Sequence, residues 1–367
     1  MAPSSLQAGT VVLTHFASPY QVELFDEVAK ANAGSFTVYY IHRTHPARGW
    51  RGSEPKHHAM FLNEDIKALT RAIEDFRSAP LAIFNFYNEA PAPELLRARV
   101  ESGLPWCFWG ERPGFNHPLL GRLARRLKLR ALHRSSSPIW GIGRFAVHAY
   151  QREFGVDRAY HDIPYFSDLS RFQKINRPSD GAVGNRMILF SGALIHRKGV
   201  DLLARAFARL AGEFPNVRLK VVGDGELRPQ MERTLQRATA RVEFLGFKDW
   251  PDLPSAYASA DVLCVPSRYD GWGLVVPEGL ASGVPVIATD RTGAAIEFVR
   301  NSKNGWLIRA GDEVALYAAL REAASLPAEQ LAAMSAAARA SVAGHSLENG
   351  AARFLAASRD AVANWTN

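Results

Sequence analysis

The sequence predicts an α/β protein with two Rossmann-like domains. The chain has 367 residues, which is more than one hydrophobic core usually organises. Short apolar segments alternate with amphipathic helical segments, as they do in α/β proteins. Residues 161–187 interrupt this alternation with a polar segment that contains Pro and Gly, so we interpret it as a linker. We expect an N-terminal domain over residues 1–165 and a C-terminal domain over residues 166–345. A final helix within residues 346–367 is expected to pack back on the N-terminal domain.

The individual elements follow from apolar periodicity. In the first half, the buried strands are expected at VVLTHF, SFTVYYIH, LAIFNFY and LPWCFWG. Between the first two, PYQVELFDEVAKANA places Val22, Phe25 and Val28 at helical spacing. The second half offers the strands MILFSGAL, LKVVGDG, VEFLGF, ADVLCVPS and VPVIATD, and the tail from Asp312 is rich in helix-forming Ala, Leu and Glu. Because open α/β sheets bind ligands beyond the carboxyl ends of their strands, we expect the site in a cleft between the two domains.

Composition limits the classes of function. The chain is 47% hydrophobic and 22% charged, as ordinary globular proteins are. Its two cysteines, Cys107 and Cys264, lie in apolar segments, so we expect small buried hydrophobes and neither a disulfide scaffold nor a zinc site. No apolar run is long enough to span a bilayer, and the N-terminus lacks a secretory pattern, so a cytoplasmic protein is expected. The net charge of +8 favours an anionic partner.

The segment RYDGWGLVVPEGLASG carries the sharpest chemical signal. Asp270 lies on a Gly-containing turn, and Glu278 follows just inside a predicted helix. The N–H groups of Gly273, Leu274 and Val275 at that helix start suit a phosphate. A carboxylate at Glu278 can accept hydrogen bonds from a ribose diol, and one at Asp270 can reach a second polyhydroxylated group. Two acids around such a helix start predict a site for a sugar linked through diphosphate to a nucleoside.

Three further segments place groups at strand ends. SGALIHRKGVDLL ends a strand at Gly192 and carries His196, Arg197 and Lys198 into a helix, so these cations are expected to neutralise a diphosphate leaving group. VVGDGELRPQ ends a strand at Gly223, which is weak evidence alone. VEFLGF ends at Phe247, which is expected either to lie beside a base or to belong to the core.

Together these motifs resemble the C-terminal domain of the retaining GT-B glycosyltransferases of family 4. Those enzymes typically read G-R-L-x-x-x-K-G, then V-G-x-G, F-x-G and E-x-F/W-G-x-x-x-x-E-A. This chain matches that ordered set over residues 186–312, with Gly293, Glu297 and Asn304-Gly305 also in place. The resemblance implies the GT-B fold, two facing Rossmann-like domains with a cleft between them. The first half resembles the family more loosely, through SPYQVELFDEVA and IPYFSD.

The resemblance also implies roles. Lys198 should contact the donor diphosphate, Glu278 the ribose and Asp270 the hydroxyls of the donor sugar, and no metal or other cofactor should be required. Retention should arise from attack on the face that the diphosphate leaves. The expected catalytic residues are Lys198, Asp270, Glu278 and Glu111. The expected donor-binding residues are Gly192, Arg197, Lys198, Gly223, Phe247, Asp270, Gly271, Trp272, Gly273, Leu274, Val275 and Glu278.

Three positions depart from the family pattern. Asp270 stands where a Glu is usual and is one methylene shorter. Ala193 stands where an Arg is usual, so Arg197 is expected to take over that contact with phosphate. The histidine of the first domain that often touches the donor sugar is not evident. At the corresponding strand end FWGERPGF offers Glu111, as a polar contact to acceptor or sugar or as a simple surface acid.

The densest positive charge lies within residues 117–137. Leucines and basic residues interleave at helical spacing over residues 117–134, which is typical of helices that bind membrane surfaces. A domain helix with its leucines in the core and its arginines in water fits the pattern equally well. Nucleic acid is a poorer fit, since no recognised binding motif accompanies the charge. The leucines are Leu119, Leu120, Leu123, Leu127 and Leu132, and the basic residues are Arg122, Arg125, Arg126, Lys128, Arg130 and Arg134.

The sequence therefore predicts a glycosyltransferase that moves a sugar from a nucleotide-sugar donor to an acceptor hydroxyl. A glycan or a lipid-linked acceptor of surface polysaccharide synthesis is expected. The protein is expected in the cytoplasm, with an anionic membrane surface as a further partner. Two alternatives stay open: a nucleotide-sugar epimerase of the same fold, and a nucleotide-sugar-binding protein without catalysis, which Ala193 and Asp270 would explain.

Overall fold

The computed structural model describes residues 9–32, 34–44, 54–113, 119–173 and 185–366. Within them the chain forms two compact units. The first contains residues Met1–Ser167 and Ser346–Asn367, and the second contains Asp168–His345. Each unit has one parallel sheet with helices, so the predicted α/β class is confirmed.

Each sheet consists of strands with the same direction. The first unit contains β1 (Thr10–Phe16), β2 (Phe36–His42), β3 (His58–Phe61), β4 (Leu81–Phe84), β5 (Trp106–Gly110), β6 (Ile139–Gly141) and β7 (Tyr160–Asp162). The second contains β8 (Met187–Ser191), β9 (Arg218–Val222), β10 (Val242–Gly246), β11 (Val262–Val265), β12 (Val286–Thr289) and β13 (Gly305–Ile308). The strand orders are β3-β2-β1-β4-β5-β6-β7 and β10-β9-β8-β11-β12-β13.

The helices connect these strands and close the chain. In chain order they are α1 (Pro19–Ala31), α2 (Ile66–Ser78), α3 (Ala92–Ser102), α4 (Leu119–Lys128), α5 (Arg130–His133), α6 (Arg144–Phe154), α7 (Ser170–Gln173), α8 (Val200–Glu213), α9 (Arg228–Thr234), α10 (Leu253–Ala258), α11 (Val275–Ala281), α12 (Gly293–Phe298), α13 (Glu313–Ser325), α14 (Ala328–Ser341) and α15 (Leu347–Ala363). Two 3₁₀ helices span His196–Lys198 and Gln236–Arg241.

The central strands are largely apolar because helices cover both faces of a parallel sheet. In the first unit Val12, Leu13 and Ile83 are fully buried. The last helix contributes to the same core, where the ring of Phe354 lies 5.1 Å from that of Trp140. Cys107 and Cys264 are free and fully buried, which agrees with the expected apolar role.

The order of the strands defines where ligands bind. In the first sheet the strand order reverses between β1 and β4, and in the second between β8 and β11. Loops that leave the carboxyl ends of strands on either side of such a point diverge and leave a crevice. The loops after β8 and β11 carry Lys198 and Asp270, so the topology of the second unit places both at its crevice.

Residues 161–187, interpreted as a linker, contain the boundary between the two units at Ser167 and Asp168, and they also contain short regular elements. Strand β7 begins just before this segment, α7 lies within it, and β8 starts at its end. These elements are short and lack the apolar periodicity that marks longer ones, so the pattern did not indicate them. Residues 174–184 lie outside the described part of the chain. Among the described helices, none has the length and apolar character needed to cross a membrane.

Candidate functional site

The loops after β8 and β11 approach each other through a glycine. Gly199 has φ of +70°, and a Cβ at this position would lie 2.1 Å from the Pro266 carbonyl oxygen. Only glycine fits both the conformation and the space. The close approach fixes the start of α8 beside the loop that carries Asp270, and it brings the predicted phosphate-binding cations to the predicted sugar-binding acid.

Lys198 and Asp270 form an ion pair. The Lys198 Nζ donates a hydrogen bond to Oδ2 of Asp270, and both side chains are largely buried, with 16% and 11% of their surface exposed. Arg197 adds a second cation, with its Nη1 3.6 Å from Oδ1 of Asp270. A shielded carboxylate between two cations is firmly held. The sequence analysis gave Lys198 and Asp270 separate roles, and the structure places them in direct contact.

A second ion pair holds the same two loops. The Arg268 guanidinium donates to both carboxylate oxygens of Asp201 at 2.6 and 2.7 Å. It also donates to the His196 carbonyl at 2.8 Å, and the Arg268 N–H donates to the Arg197 carbonyl at 2.8 Å. Bidentate arginine–carboxylate pairs combine energy with fixed geometry. Burial raises the pKa of Asp201, but the hydrogen bonds and charge of Arg268 outweigh it, so the pKa lies below its ordinary value.

Glu278 lies at the first turn of α11, 2% exposed, and accepts a 2.8 Å hydrogen bond from the Tyr257 hydroxyl. Burial and the nearby Glu278 charge raise the pKa of Tyr257 well above its ordinary value, so the hydroxyl stays protonated and able to donate. The tyrosine comes from α10, which carries no motif. It fixes one oxygen of Glu278.

The start of α11 offers the backbone donors that the sequence predicted. The Val276 N–H donates to the Gly273 carbonyl and the Glu278 N–H to the Leu274 carbonyl. Among the described residues, the N–H groups of Gly273, Leu274 and Val275 have no acceptor. Unsatisfied N–H groups at a helix start attract anions. They follow Asp270 and precede Glu278 along the chain.

The loops of neighbouring strands support this arrangement. The Asp270 N–H donates to the Arg291 carbonyl at 3.0 Å, and the Trp272 carbonyl accepts from Ala294 at 2.8 Å, so the β12 loop holds the β11 loop in place. On the other side, Gly223 has φ of +121°, and a Cβ there would lie 2.0 Å from the Gly192 carbonyl oxygen. The glycines therefore let the loops after β8 and β9 pack together.

The remaining predicted residues lie in different surroundings. Trp272 is 1% exposed, so it supports the turn from within the core, beside the Phe298 and His345 rings. Phe247 directly follows β10 and is 46% exposed, so it does not belong to the core. Glu111 belongs to the first unit, where it follows β5 and its carbonyl accepts from the Tyr150 hydroxyl at 2.6 Å.

Sequence reasoning missed three residues of this site. No sequence pattern indicated Tyr257, because its contact with Glu278 joins α10 to α11 through space. Asp201 and Arg268 flank the recognised motifs directly, and an acid and a base beside two converging loops is a signal that could have revealed the pair. All three position groups that the motifs had already indicated.

Comparison with known proteins identifies the second unit. Residues 172–341 match the family model of the glycosyl transferases group 1. An uncharacterized glycosyltransferase of Methanocaldococcus jannaschii is 37% identical over 142 residues, 38% of this chain and 36% of that protein. A GDP-mannose-dependent monoacylated alpha-(1-6)-phosphatidylinositol monomannoside mannosyltransferase of Corynebacterium glutamicum is 28% identical over 232 residues, 59% of this chain and 60% of that protein. The aligned parts thus span less than two thirds of these relatives.

Solved structures show the same fold over nearly the whole chain. The Anabaena protein HepE, crystallised with UDP, superposes with a TM-score of 0.75 at 17% identity, covering 96% of this chain and 100% of that one. The predicted GT-B class is therefore confirmed. The similarity to the glycosyl transferases group 1 family covers residues 172–341, most of the second unit.

Proposed function

We propose that this protein is a retaining glycosyltransferase that moves a sugar from a nucleotide-sugar donor to an acceptor hydroxyl. The observation that carries the proposal is the contact between Lys198 and Asp270 at the strand-order reversal of the second unit. It supports a proposed cation for the diphosphate and a proposed carboxylate for the sugar within one loop pair. The match of residues 172–341 to the glycosyl transferases group 1 family supports this assignment.

The proposed binding mode follows the order of groups along a nucleotide sugar. Glu278 accepts hydrogen bonds from the ribose, while Lys198, Arg197 and the N–H groups at the start of α11 bind the diphosphate. Asp270 holds the hydroxyls of the donor sugar. Gly192, Gly223 and Gly271 allow the backbone to approach the donor, and Phe247, exposed after β10, offers a surface for the base.

The proposed reaction breaks the bond between the anomeric carbon and the diphosphate oxygen. The acceptor oxygen forms its bond to that carbon on the same face, and its proton passes to the departing phosphate oxygen. Positive charge develops on the sugar ring and negative charge on the diphosphate. Asp270 stabilises the first, and Lys198 with Arg197 stabilises the second, which is the task that a metal ion performs in other transferases. The donor site is proposed to work without a cofactor, and Glu111 of the first unit is proposed to contact the acceptor.

The acceptor is proposed to be a glycan or a lipid-linked glycan at the cytoplasmic face of a membrane. The Corynebacterium glutamicum relative is named for action on a phosphatidylinositol mannoside, which supports a lipid acceptor. Helix α4 supports it independently, because Leu123 and Leu127 lie one turn apart and are 58% and 64% exposed. Arg126 and Lys128 on the same helix are exposed as well. Exposed leucines beside exposed cations suit an anionic membrane surface.

Part of the basic segment does not serve that surface. Arg125 pairs with Glu153 within the first unit, and Leu132 is 2% exposed. These two residues therefore fit the alternative interpretation of the segment as an ordinary helical part of the domain. Residues 117–118 and the side chains of residues 119–122 lie outside the described part of the chain. The proposed membrane face therefore comprises Leu123, Arg126, Leu127 and Lys128.

A two-stage experiment tests the proposal. Thermal shifts with UDP-, GDP- and ADP-sugars identify the donor, since a ligand at about 100 times its dissociation constant adds about 2.7 kcal/mol of stability. The selected donor is then incubated with and without lipid-linked acceptors, and the products are analysed by mass spectrometry and NMR. Transfer with retained anomeric configuration is expected. A change of the donor sugar without acceptor would indicate an epimerase, and binding without transfer or hydrolysis would indicate a binding protein; both would overturn the proposal.

A further inference from the structure

Three side chains that can bind metals converge at the other strand-order reversal, in the first unit. His15 is the penultimate residue of β1, His42 is the last residue of β2, and Glu89 lies in the segment between β4 and α3. These positions are separated by 27 and 47 residues in the sequence, but the parallel sheet brings the strand ends together. Among the described residues, they form the one group of His, Cys, Asp and Glu side chains that could share a metal ion.

Their geometry is close to that of a coordination shell. The candidate ligand atoms all lie within 4.8 Å of one another. His15 Nε2 is 3.4 Å from Glu89 Oε1, and His42 Nε2 is 2.6 Å from the same oxygen. Zinc–ligand bonds of about 2.0–2.1 Å in a tetrahedron separate neighbouring ligand atoms by about 3.4 Å. One distance already has this value, and the other requires Glu89 to move outward by less than 1 Å, which the rotamers of an exposed glutamate allow.

Neighbouring side chains orient both imidazole rings. The Asn63 side-chain amide lies 2.9 Å from Nδ1 of His42, and a cation on Nε2 requires the amide oxygen to face this nitrogen, so that Nδ1–H donates to it. The His15 ring stacks on Phe86, with centroids 3.9 Å apart and planes 5° from parallel. Ligating histidines almost always donate the N–H of the second ring nitrogen to such an acceptor, as His42 then does to Asn63. The side chains of His15, His42 and Glu89 are 29%, 35% and 44% exposed, so the cluster lies near the surface of the first unit.

We propose that His15, His42 and Glu89 bind one divalent cation of the zinc class. Two imidazoles and one carboxylate suit Zn²⁺ better than Mg²⁺ or Ca²⁺, which prefer oxygen ligands alone. This ligand set leaves at least one coordination position open to an oxygen ligand. The cation also ties the segment after β4 to the ends of β1 and β2. The proposal does not depend on the proposed transferase, whose donor-binding residues lie in the second unit.

Zinc titration of the full chain, freed of metal by a chelator, tests the proposal. Calorimetry and competition with a chromophoric chelator should give one tight Zn²⁺ per chain. Glu89→Gln and His42→Gln should each lower the Zn²⁺ affinity at least about 100-fold, and Asn63→Ala about 10-fold, because it removes only the group that orients His42. Co²⁺ should give the intense visible absorption of a four-coordinate site in the parent chain and lose it in Glu89→Gln.

The chain contains 11 histidines, so a matched control is required. His148 is exposed on α6, and His148→Gln should bind Zn²⁺ as the parent chain does. The variants replace partly exposed side chains, and their circular dichroism and thermal midpoints in chelator should match the parent. Absence of stoichiometric binding, or equal affinity of Glu89→Gln and the parent, would overturn the proposal and leave a hydrogen-bonded His–Glu cluster. Donor binding in the second unit is measured separately, so either proposal can fail alone.

Discussion

The Tyr257 hydroxyl donates a 2.8 Å hydrogen bond to Oε2 of Glu278, and both residues are almost completely buried. The bond joins α10 to the first turn of α11, two elements without a common sequence motif. It fixes the rotamer of the carboxylate that we assign to the ribose. Tyr257 is therefore a positioning residue, and its contribution can be separated from that of Glu278.

Tyr257→Phe should raise the KM for the donor about 10-fold and leave kcat nearly unchanged. The substitution removes a hydrogen bond to a charged group, worth about 1.5–3 kcal/mol, and a ribose contact is made in ground and transition states alike. Glu278→Gln should raise KM further, because it alters the contact itself. Steady-state kinetics check both. Tyr317→Phe removes a comparable hydroxyl from Glu213, away from the site, and should be kinetically silent. A fall in kcat alone for Tyr257→Phe would contradict a positioning role.

Lys198→Ala should lower kcat by two to three orders of magnitude, about the effect of removing one preorganised contact to developing charge. The lysine lies closer to Asp270 than Arg197 does and leads into α8, so its loss leaves Arg197 as the remaining proposed cation for the departing diphosphate. Rates at saturating donor test this. Lys220 is a suitable control, since it is 14% exposed and paired with Glu243. A rate for Lys198→Ala within tenfold of the parent would contradict the assignment of Lys198 to the donor diphosphate.

Asp270→Asn should lower kcat strongly without weakening the binding of free nucleoside diphosphate. The carboxylate neutralises Lys198 in the folded chain, so its replacement by an amide leaves more positive charge for the diphosphate. Calorimetry with the nucleoside diphosphate should give an affinity equal to or above that of the parent. Glu278→Gln should bind the same ligand weakly. If both variants lose affinity equally, the two acids have been assigned wrongly.

Leu123→Ser/Leu127→Ser should weaken binding to vesicles that contain anionic lipid. These leucines form the exposed apolar side of α4, and each basic residue near such a surface adds about 1 kcal/mol, so Arg126→Gln/Lys128→Gln should also reduce binding and its salt dependence. Vesicle sedimentation measures both. Val314 is 73% exposed on α13 and provides the matched apolar control, Val314→Ser. Equal sedimentation of all variants would contradict membrane binding by α4 and leave it as an ordinary surface helix.

Asp201→Asn should destabilise the second unit by about 1.5–3 kcal/mol at neutral pH, the range for hydrogen bonds to charged groups. Because Arg268 lowers the pKa of Asp201 in the folded chain, its contribution is complete above the ordinary Asp pKa of about 3.9. It is lost as the pH falls through the lower folded pKa. Urea unfolding of parent and variant should therefore converge in acid. Asp224→Asn removes an exposed pair with Arg228 and should leave the stability nearly unchanged at any pH.

The sequence was sufficient for features that repeat locally. Apolar segments located β1, β8 and β11, and the glycines and acids of residues 268–279 located the β11 loop and α11. The sequence did not predict the short strands β3 and β7, because three or four residues at a sheet edge carry little periodicity. Contacts such as Lys198–Asp270 and Tyr257–Glu278 span 72 and 21 residues, and only the assembled sheet determines them. The cluster of His15, His42 and Glu89 could not be predicted either, because only the assembled sheet brings these residues together.

Helix α15 belongs to the first unit but is synthesised after the second unit. Its Phe354 packs with Phe25, Trp109 and Trp140 in the core of the first unit, but it leaves the ribosome after the entire second unit. The apolar face of the first unit that α15 covers therefore stays exposed while the second unit is translated and folds as a continuous segment. Domains generally fold as units during synthesis, and uncovered apolar surface exposes a nascent chain to aggregation. A chaperone that shields this face during translation would act on the N-terminal half, although that half is made first.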